Sequence, residues 1–273
     1  MPFLDLPDTR LAFDLDPAAN PDTNTVADKP VLVLAHSLGV HRAMWTAALP
    51  ILRQRWRILR YDLRGHGESA LQDLSPGAQT LSIETLGQDV LRMTRQLGLQ
   101  RFAFCGVSLG GLIGQWLGIH APERLDHLFL ANTAMKFGEA AAWNARIELV
   151  RQQGLSPVIE GTMERWFTAD FRAREPEKIS AIRQMLASCP PAGYLAGCAA
   201  VRDADFRATA ARIQAHTLVI AGSFDPVSTP ADSQALAAQI PGAQSVELPA
   251  AHLGAVECPD IFASAMLSFA CAV

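Results

Sequence analysis

The chain has 273 residues, of which 49% are hydrophobic and 18% are charged, a composition typical of a folded globular protein and not of a disordered one. Its formal net charge is −4 and lysine is nearly absent, so no basic run is available to bind nucleic acid. Because neither a leader-like amino terminus nor about 18 consecutive apolar residues occur, we expect a cytoplasmic protein with no membrane partner.

Short segments rich in β-forming residues recur along the chain, with segments of helical length between them. The predicted strands lie at residues 10–16, 30–36, 56–62, 101–106, 124–132, 216–222 and 244–250. Several are continuous apolar runs, as expected for strands buried on both faces. This alternation is typical of βαβ units, and it predicts an α/β fold with a mostly parallel sheet flanked by helices.

Two helices carry clear sequence patterns. Residues 82–99 have apolar side chains at helical spacing and a late Gly98, which predicts an amphipathic surface helix. Residues 109–122 are apolar almost all round, and we expect a buried helix that ends before Pro122. Two turn-rich stretches, residues 16–30 and 71–80, are predicted to be loops.

The strand and helix alternation breaks between about residues 137 and 210. Consecutive short helices are predicted there without intervening strands. We therefore expect a core made of residues 1–136 and 211–273, with a helical cap made of residues 137–210.

The cysteines do not indicate a metal site or a disulfide framework. They are odd in number and form no CxxC pair. We expect buried thiols at these positions, which are Cys105, Cys189, Cys198, Cys258 and Cys271.

The segment GVSLG, residues 106–110, places Ser108 between two glycines at the junction of a predicted strand and a predicted helix. A sharp turn there strains the backbone and leaves room only for small residues two positions before and after the serine. The turn lifts the hydroxyl above the carboxyl edge of the sheet, beside helical N–H groups that favour negative charge. We interpret Ser108 as a nucleophile; the alternative is a serine that caps the helix.

A serine nucleophile requires a base, and a carboxylate that orients the base. Asp225 and His252 each follow a predicted strand, so both are expected at the same edge of the sheet as Ser108. We assign no role to His41. The remaining candidates are interpreted as structural, loop or solvated residues, and they are His66, His120, His127, His216, Asp203 and Asp205.

The oxyanion formed in acyl transfer needs two backbone donors. We expect one to be the N–H of Leu109, which follows the nucleophile. The second is expected from the segment AHSLG, residues 35–39, where a strand ends in a turn, and we assign it to the N–H of Leu38. The alternative for this turn is an ordinary strand-ending loop.

The chain resembles the α/β-hydrolase family over nearly its full length. The candidate catalytic residues occur in the order of that family, which is Ser108, Asp225, His252. The segments that carry the resemblance are HSLG, RYDLRGHGES, GVSLGG, APERL, SFDPVSTP and AAHLGAVECP. It is most similar to the 3-oxoadipate enol-lactonase family, in FCGVSLGGL, ANTA, AWNARI, ERWFT, GYLAGCAAVRDAD and IPGA. The resemblance implies the α/β-hydrolase fold, with about eight strands in a mostly parallel sheet flanked by helices and a helical cap insertion. It also implies a catalytic triad of Ser108, Asp225 and His252.

The function that this resemblance implies is hydrolysis of a small anionic lactone, 3-oxoadipate enol-lactone, to 3-oxoadipate in the protocatechuate branch of aromatic catabolism. Neither a metal nor an organic cofactor is implied. The alternatives are a carbon–carbon bond hydrolase, a carboxylesterase or a perhydrolase, and, in another class, a non-catalytic ligand receptor. Haloalkane dehalogenases and epoxide hydrolases are disfavoured because they have aspartate where this chain has Ser108. The sequence leaves the oligomeric state open.

The carboxylate of such a substrate needs a cation or a donor in a dry pocket. Trp143 and Arg146 are three residues apart and share a helical face, and Arg42 follows the oxyanion loop. We name these three as candidate substrate-binding residues. The alternative is an aromatic side chain packed in the cap beside a solvated arginine.

The sequence departs from the pattern of the family in two places. Ser37 stands where glycine usually follows the histidine of the oxyanion loop, and Gly254 and Ala255 follow His252 where related sequences often carry a polar residue. Neither departure touches the triad, and both are expected to affect the entrance of the site.

Overall fold

The computed structural model of the protein describes residues 2–17, 29–71 and 81–272. The two predicted loops, residues 16–30 and 71–80, lie mostly outside these ranges. Within them, the strands are β1 Phe3–Leu6, β2 Thr9–Leu15, β3 Val31–Ala35, β4 Arg57–Tyr61, β5 Phe102–Val107, β6 Leu125–Ala131, β7 Thr217–Gly222 and β8 Gln244–Leu248. The helices are α1 Leu49–Leu52, α2 Ile83–Gln96, α3 Leu109–His120, α4 Ala140–Gln153, α5 Ser156–Trp166, α6 Ala169–Arg174, α7 Pro176–Ala187, α8 Pro191–Asp203, α9 Pro230–Gln239, α10 Gly254–Glu257 and α11 Pro259–Cys271.

The strands of the described ranges form one eight-stranded sheet in the order β1-β2-β4-β3-β5-β6-β7-β8. Strands β3 to β8 pair in parallel, whereas β1 pairs with β2 and β2 pairs with β4 in antiparallel fashion. Every residue of β3, β5 and β7 is buried, as their unbroken apolar sequences require for strands covered on both faces. The predicted α/β fold is confirmed.

Strand β1 was not predicted from the sequence. It forms a hairpin with β2 at the edge of the sheet, with Phe3 opposite Ala12 and Leu6 opposite Thr9. Only Leu6 of its four residues is buried, so β1 lacks the apolar run that marks the central strands β3, β5 and β7. The pairing with β2, and not its own side chains, makes this segment a strand.

Helix α2 is amphipathic and helix α3 is buried, as their sequences predict. The Ser82 side chain caps α2 by accepting a hydrogen bond from the Thr85 N–H, and Gly98 beyond its end has a φ of +71°. Helix α3 is buried at every residue except His120, because it packs directly against β3, β5 and β6. This packing therefore fixes the position of the turn between β5 and α3.

Helices α4 to α8 lie between β6 and β7 in the chain, within the segment for which consecutive helices were predicted. Helix α8 approaches the loop after β4 so closely that a Cβ on Gly193 would lie 1.8 Å from the Gly65 carbonyl oxygen. Only glycine permits that backbone contact. Helix α6, which the sequence pattern did not predict, is a short helix capped by the side chain of Thr168.

Glu257 of α10 joins this helical segment to the loop that follows β8. Its carboxylate accepts hydrogen bonds from the Ala251 N–H at 2.9 Å and from the Thr168 N–H at 3.2 Å, and also from the Thr168 hydroxyl. The loop after β8 and the segment that contains helices α4 to α8 are thus held together by one side chain. Among the helices of the described ranges, none combines the length and apolar character needed to cross a bilayer.

Candidate active site

Ser108 occupies the turn between β5 and α3 with a φ of 57° and a ψ of −112°, an unusual conformation for a residue other than glycine. Two glycines make the turn possible. A Cβ on Gly106 would lie 2.0 Å from the Gly110 carbonyl oxygen, and a Cβ on Gly110 would lie 2.4 Å from the Ala35 carbonyl oxygen. The spacing of these glycines around the serine is therefore a steric requirement of the turn.

The structure brings Ser108, His252 and Asp225 together at the carboxyl ends of β5, β8 and β7. The His252 Nε2 lies 3.0 Å from the Ser108 Oγ, and the His252 Nδ1 lies 2.8 Å from the Asp225 Oδ2. All three side chains are buried. Because the carboxylate can only accept, the Nδ1–H donates to it, and Nε2 is left to accept the serine proton.

Asp225 is held as a carboxylate by several donors besides His252. Its Oδ1 accepts from the N–H groups of Val227 at 2.8 Å and Ser228 at 3.1 Å. Its Oδ2 accepts from the Ser228 hydroxyl at 2.8 Å and from the Asn132 side-chain amide at 3.2 Å. Burial alone would raise the pKa of Asp225, but His252 and these donors outweigh burial and hold it below its ordinary value.

Asn132 and Ser228 were not identified from the sequence. Asn132 directly follows β6 and has a φ of 44°, and its side-chain amide also donates to the Ala251 carbonyl at 3.1 Å. It thus connects the aspartate to the histidine loop. The available signal was its place at a strand end, where asparagine tolerates left-handed backbone.

One predicted oxyanion donor belongs to Leu109, which directly follows Ser108, and the other belongs to Leu38, which lines the same cavity as Ser108. Leu109 is the first residue of α3, where a helix offers its own N–H no acceptor. Next to Leu38, the His36 Nδ1–H donates to the Ser37 carbonyl at 2.8 Å, while the His36 Nε2 accepts the Leu63 N–H at 2.9 Å. Since a trans peptide directs its N–H opposite to its carbonyl, this bond fixes the direction of the Leu38 N–H.

His36 lies within the predicted oxyanion loop, but sequence reasoning assigned no role to its side chain. Burial, followed by the neighbouring His66, lowers the pKa of His36 well below 6.5. The ring is therefore neutral, and both of its nitrogens are used in fixing the loop.

A cavity covers Ser108 and His252. Helices α4, α5 and α8 close it from the side opposite the sheet. It is lined by Ser37, Leu38, Ser108, Phe137, Trp143, Arg146, Arg165, Trp166, Tyr194, Val201, Val227 and His252. The cavity wall is therefore apolar, apart from the hydroxyls near Ser108 and a pair of arginines.

Arg146 and Arg165 carry the positive charge of this cavity. The Arg146 guanidinium donates to the Tyr194 hydroxyl at 2.7 Å and to the Thr162 hydroxyl at 3.0 Å. Burial and the neighbouring Arg146 lower the pKa of Arg165. Within the described part of the chain, neither arginine forms a salt bridge with a carboxylate, so the pair leaves charge available for an anion.

The three predicted substrate-binding residues do not all lie at the same cavity. Trp143 and Arg146 both line the cavity, and the Trp143 Nε1–H donates to the Phe137 carbonyl at 2.7 Å. Arg42 does not line it. Its guanidinium pairs with Asp62, with Asp14 at 3.0 Å and with Glu68 at 2.6 Å, beside a separate cavity.

The candidate role of Arg42 in substrate binding is therefore corrected, because the loop after Leu38 turns the Arg42 side chain toward these three carboxylates and away from the cavity that contains Ser108. Arg165 takes the place expected for a second cation. It lies in the segment ERWFT, whose resemblance to the enol-lactonase family was the available signal.

The other histidines pack against aromatic rings or bond to nearby backbone. His216 stacks on Phe269 with ring centroids 4.1 Å apart, His120 stacks on Trp116, and His127 packs against Phe129. The two remaining rings bond to nearby backbone, with His66 bonding to the Arg64 carbonyl and His41 capping the turn that begins at Arg42. Asp203 and Asp205 are exposed and pair with neighbouring arginines.

The cysteines are free in the structure. Cys105, Cys189 and Cys198 are buried as predicted, Cys258 is half-buried, and Cys271 is exposed, so the prediction is wrong for Cys271 at the end of the last helix. Burial raises the pKa of Cys189 to about 12, which disfavours a reactive thiolate. Across residues 2–17, 29–71 and 81–272, no group of three or more histidine, cysteine or acidic side chains is arranged to hold a metal ion.

Comparison with known proteins shows the family to which this chain belongs. Residues 30–257 match the family model described as alpha/beta hydrolase fold. The chain is 40% identical to 3-oxoadipate enol-lactonase 2 of Acinetobacter baylyi over 96% of both chains, and 35% identical to 3-oxoadipate enol-lactonase 1 of the same organism over 88% of both. The crystal structure of the enol-lactonase from Burkholderia xenovorans LB400 superimposes with a TM-score of 0.91 at 34% identity, covering 98% of this chain and 99% of that one. This chain is therefore a hydrolase that belongs to the α/β-hydrolase family and is similar over nearly its full length to 3-oxoadipate enol-lactonases.

Proposed function

We propose that this protein is a serine hydrolase that opens the ring of 3-oxoadipate enol-lactone to give 3-oxoadipate. The observation that carries the proposal is the hydrogen-bonded series Ser108, His252 and Asp225 beneath a cavity that also contains two arginines, neither of which pairs with a carboxylate among the described residues. The series supplies an activated nucleophile. The arginines supply a site for a substrate that carries a negative charge, as this lactone does.

In the first half of the reaction, the Ser108 Oγ attacks the lactone carbonyl carbon while the His252 Nε2 accepts the hydroxyl proton. Asp225 stabilises the resulting imidazolium and holds its orientation. The N–H groups of Leu38 and Leu109 bind the oxygen that becomes negatively charged in the tetrahedral intermediate.

Collapse of the intermediate breaks the bond between the carbonyl carbon and the ring oxygen. The electron pair goes to the ring oxygen, which takes the proton from His252 and leaves as an enol that tautomerises to the ketone. In the second half, His252 removes a proton from water, and the hydroxide attacks the acyl-enzyme. Ser108 recovers its proton as the product carboxylate departs.

The free carboxylate of the lactone remains at the other end of the molecule throughout. We assign it to Arg146 and Arg165, with Trp143 contributing an apolar wall. Charge-assisted hydrogen bonds of this kind are about twice as strong as neutral ones, and they orient the substrate as well as bind it. In this proposal, the helical segment of residues 137–210 acts as a cap that supplies substrate recognition, while the remaining residues supply the chemistry.

The decisive experiment follows the loss of lactone absorbance with the purified protein and its Ser108→Ala variant, with a simple aryl ester in parallel. We expect rapid lactone hydrolysis, weak esterase activity, and loss of both in the variant. Hydrolysis of the ester alone would retain the nucleophile but reject the lactone in favour of a carboxylesterase.

A receptor without catalytic activity is tested by covalent labelling. A fluorophosphonate reacts with an activated serine, and we expect it to label the wild-type protein at Ser108 and to leave Ser108→Ala unlabelled. Failure to label the wild-type protein, together with no turnover of either substrate, would favour the receptor.

A further inference from the structure

Ser37 lies in the oxyanion loop that follows β3, in the wall of the cavity that contains Ser108 and His252. The residue is only 1% exposed. Its carbonyl oxygen is turned toward His36, whose Nδ1–H donates to it at 2.8 Å, and the Val40 N–H approaches the same oxygen at 3.5 Å. The backbone of Ser37 is therefore held from two sides.

The hydroxyl of Ser37 has no such partner. Among the residues that the structure describes, none forms a hydrogen bond with its Oγ. The Oγ is also absent from the polar atoms of the described chain that are fully enclosed without a partner. An unbonded hydroxyl that is not fully enclosed, on a residue that lines the cavity, opens on the cavity. Buried hydroxyls are normally bonded, so this one is available to a ligand.

We propose that the Ser37 hydroxyl is a third donor of the oxyanion hole, beside the N–H groups of Leu38 and Leu109. This inference rests on the proposed function only for its nucleophile, Ser108, and it holds for any ester that Ser108 attacks. The hydroxyl donates its proton in a hydrogen bond to the oxygen that gains charge as the carbonyl carbon becomes tetrahedral. No covalent bond to Ser37 is formed.

Two features of the loop support this assignment. Ser37 and Leu38 share one peptide unit, so a short serine side chain can reach only atoms that lie close to the Leu38 N–H. The His36 ring bonds at both nitrogens, to the Ser37 carbonyl and to the Leu63 N–H, and so holds that unit before substrate arrives. Donors fixed in advance are those that contribute most to transition-state stabilisation, because they need no reorganisation during the reaction.

The test compares Ser37→Ala and Ser37→Gly with the wild-type protein on an aryl ester and on the enol-lactone. We expect kcat to fall about 10- to 100-fold in both variants, with KM nearly unchanged, since one donor acts mainly in the transition state. We also expect slower inactivation by a fluorophosphonate, whose phosphoryl oxygen occupies the same hole. A role in packing alone would not change these two rates together at constant KM.

Ser233→Ala is the matched control. Ser233 is equally buried, its hydroxyl has no hydrogen-bond partner in the described part of the chain, and it lies on α9 away from the cavity wall. We expect this variant to keep wild-type kcat. Circular dichroism and the thermal midpoint check that all three variants are folded, and Ser37→Gly serves as the second probe if Ser37→Ala is poorly folded.

The following results would overturn the assignment of Ser37 or the proposed substrate. A Ser37→Ala enzyme with wild-type kcat, or with a change in KM alone, would overturn the assignment. If the wild-type protein hydrolyses the ester but not the lactone, the proposed substrate fails while the ester rates still decide the role of Ser37. A wild-type protein that neither hydrolyses the ester nor reacts with the fluorophosphonate would reject both proposals.

Discussion

Ser108 keeps a backbone conformation that costs a residue other than glycine about 1–3 kcal/mol. Its surroundings hold it there, since its N–H donates to the Ala131 carbonyl at 3.0 Å, and its carbonyl accepts the Leu112 N–H at 3.1 Å and the Thr133 hydroxyl at 3.0 Å. The serine is thus bonded to β6 and α3 at once. This bonding, together with the two flanking glycines, directs the hydroxyl toward the His252 Nε2, which lies 3.0 Å from it.

The lowered pKa of Asp225 predicts how stability depends on pH. Folding favours its ionised form, so its contribution to stability is present above its ordinary pKa of 3.8 and is lost as pH falls through the lower pKa of the folded state. We expect the free energy of unfolding of the wild-type protein to exceed that of Asp225→Asn at pH 6, and the difference to shrink below about pH 4. Urea unfolding of both proteins from pH 6 to pH 3 measures this, and a difference independent of pH would contradict it.

The arginine pair predicts a selective loss of affinity. Hydrogen bonds to charged groups contribute about 1.5–3 kcal/mol, so Arg146→Ala and Arg165→Ala should each raise KM for the anionic lactone about 10- to 100-fold. KM for a neutral aryl ester should change little, because that substrate has no carboxylate. Steady-state kinetics on both substrates measures the effect.

The control for the arginine pair is Arg151→Ala, which removes an exposed arginine from the same helix as Arg146. It should leave both KM values unchanged. Equal increases in KM for the lactone and the ester in Arg165→Ala would show that the side chain shapes the cavity and does not bind the carboxylate.

The residues predicted from the sequence are those with a signal in their immediate neighbourhood. Ser108 lies in a five-residue motif, and Asp225 and His252 directly follow strands. Asn132 and Arg165 reach the site only because β6 and α5 are brought beside it by tertiary contacts. Spacing along the chain carries no information about such contacts.

At the scale of elements, β3, β5 and β7 were predicted because burial on both faces forces a continuous apolar run. Strand β1 was not, because it is an exposed edge strand whose state depends on β2. The helices around the site were recognised by their apolar spacing, but nothing local indicates that α8 lies against the loop at Gly65. That contact depends on two backbones meeting where Gly193 has no side chain.

Gly193 and Gly161 give a matched pair of substitutions for testing the position of α8. Gly193→Ala places a Cβ 1.8 Å from the Gly65 carbonyl oxygen, and the helix must move away. We expect a loss of about 2 kcal/mol or more in stability, as for other overpacking changes, together with reduced kcat/KM. Gly161→Ala on α5 meets only the flexible end of Arg165 at 3.4 Å, and should raise stability by about 0.5–1 kcal/mol. Thermal unfolding of the two variants measures this, and equal effects would contradict it.

At the scale of the whole molecule, a buried ion pair joins the sheet to its covering helix. The Arg64 guanidinium, after β4, binds both carboxylate oxygens of Asp89 on α2, at 2.5 and 2.7 Å, and also reaches Asp8 in the turn between β1 and β2. Burial raises the pKa of Asp89 in spite of this partner. The edge hairpin and α2 are therefore held by the same arginine.

Removal of this arginine leaves Asp89 buried without its partner. We expect Arg64→Met to lose about 3–5 kcal/mol of stability, which is the range for breaking a buried pair from one side. The double variant Arg64→Met with Asp89→Leu should recover much of the loss, because no unpaired charge remains. Chemical denaturation of the three proteins decides this, and a double variant as unstable as the single one would contradict it.

The bond network of Glu257 bears on the construction of chimaeras between this protein and its relatives. Exchange of residues 137–210 as a cassette would carry Thr168 but leave Glu257 behind, because the glutamate lies some distance further along the chain. A donor cassette without a hydroxyl at the position of Thr168 would leave this carboxylate bonded to backbone N–H groups alone. Transplanted specificity therefore requires residues 137–210 and residue 257 to be exchanged as one unit.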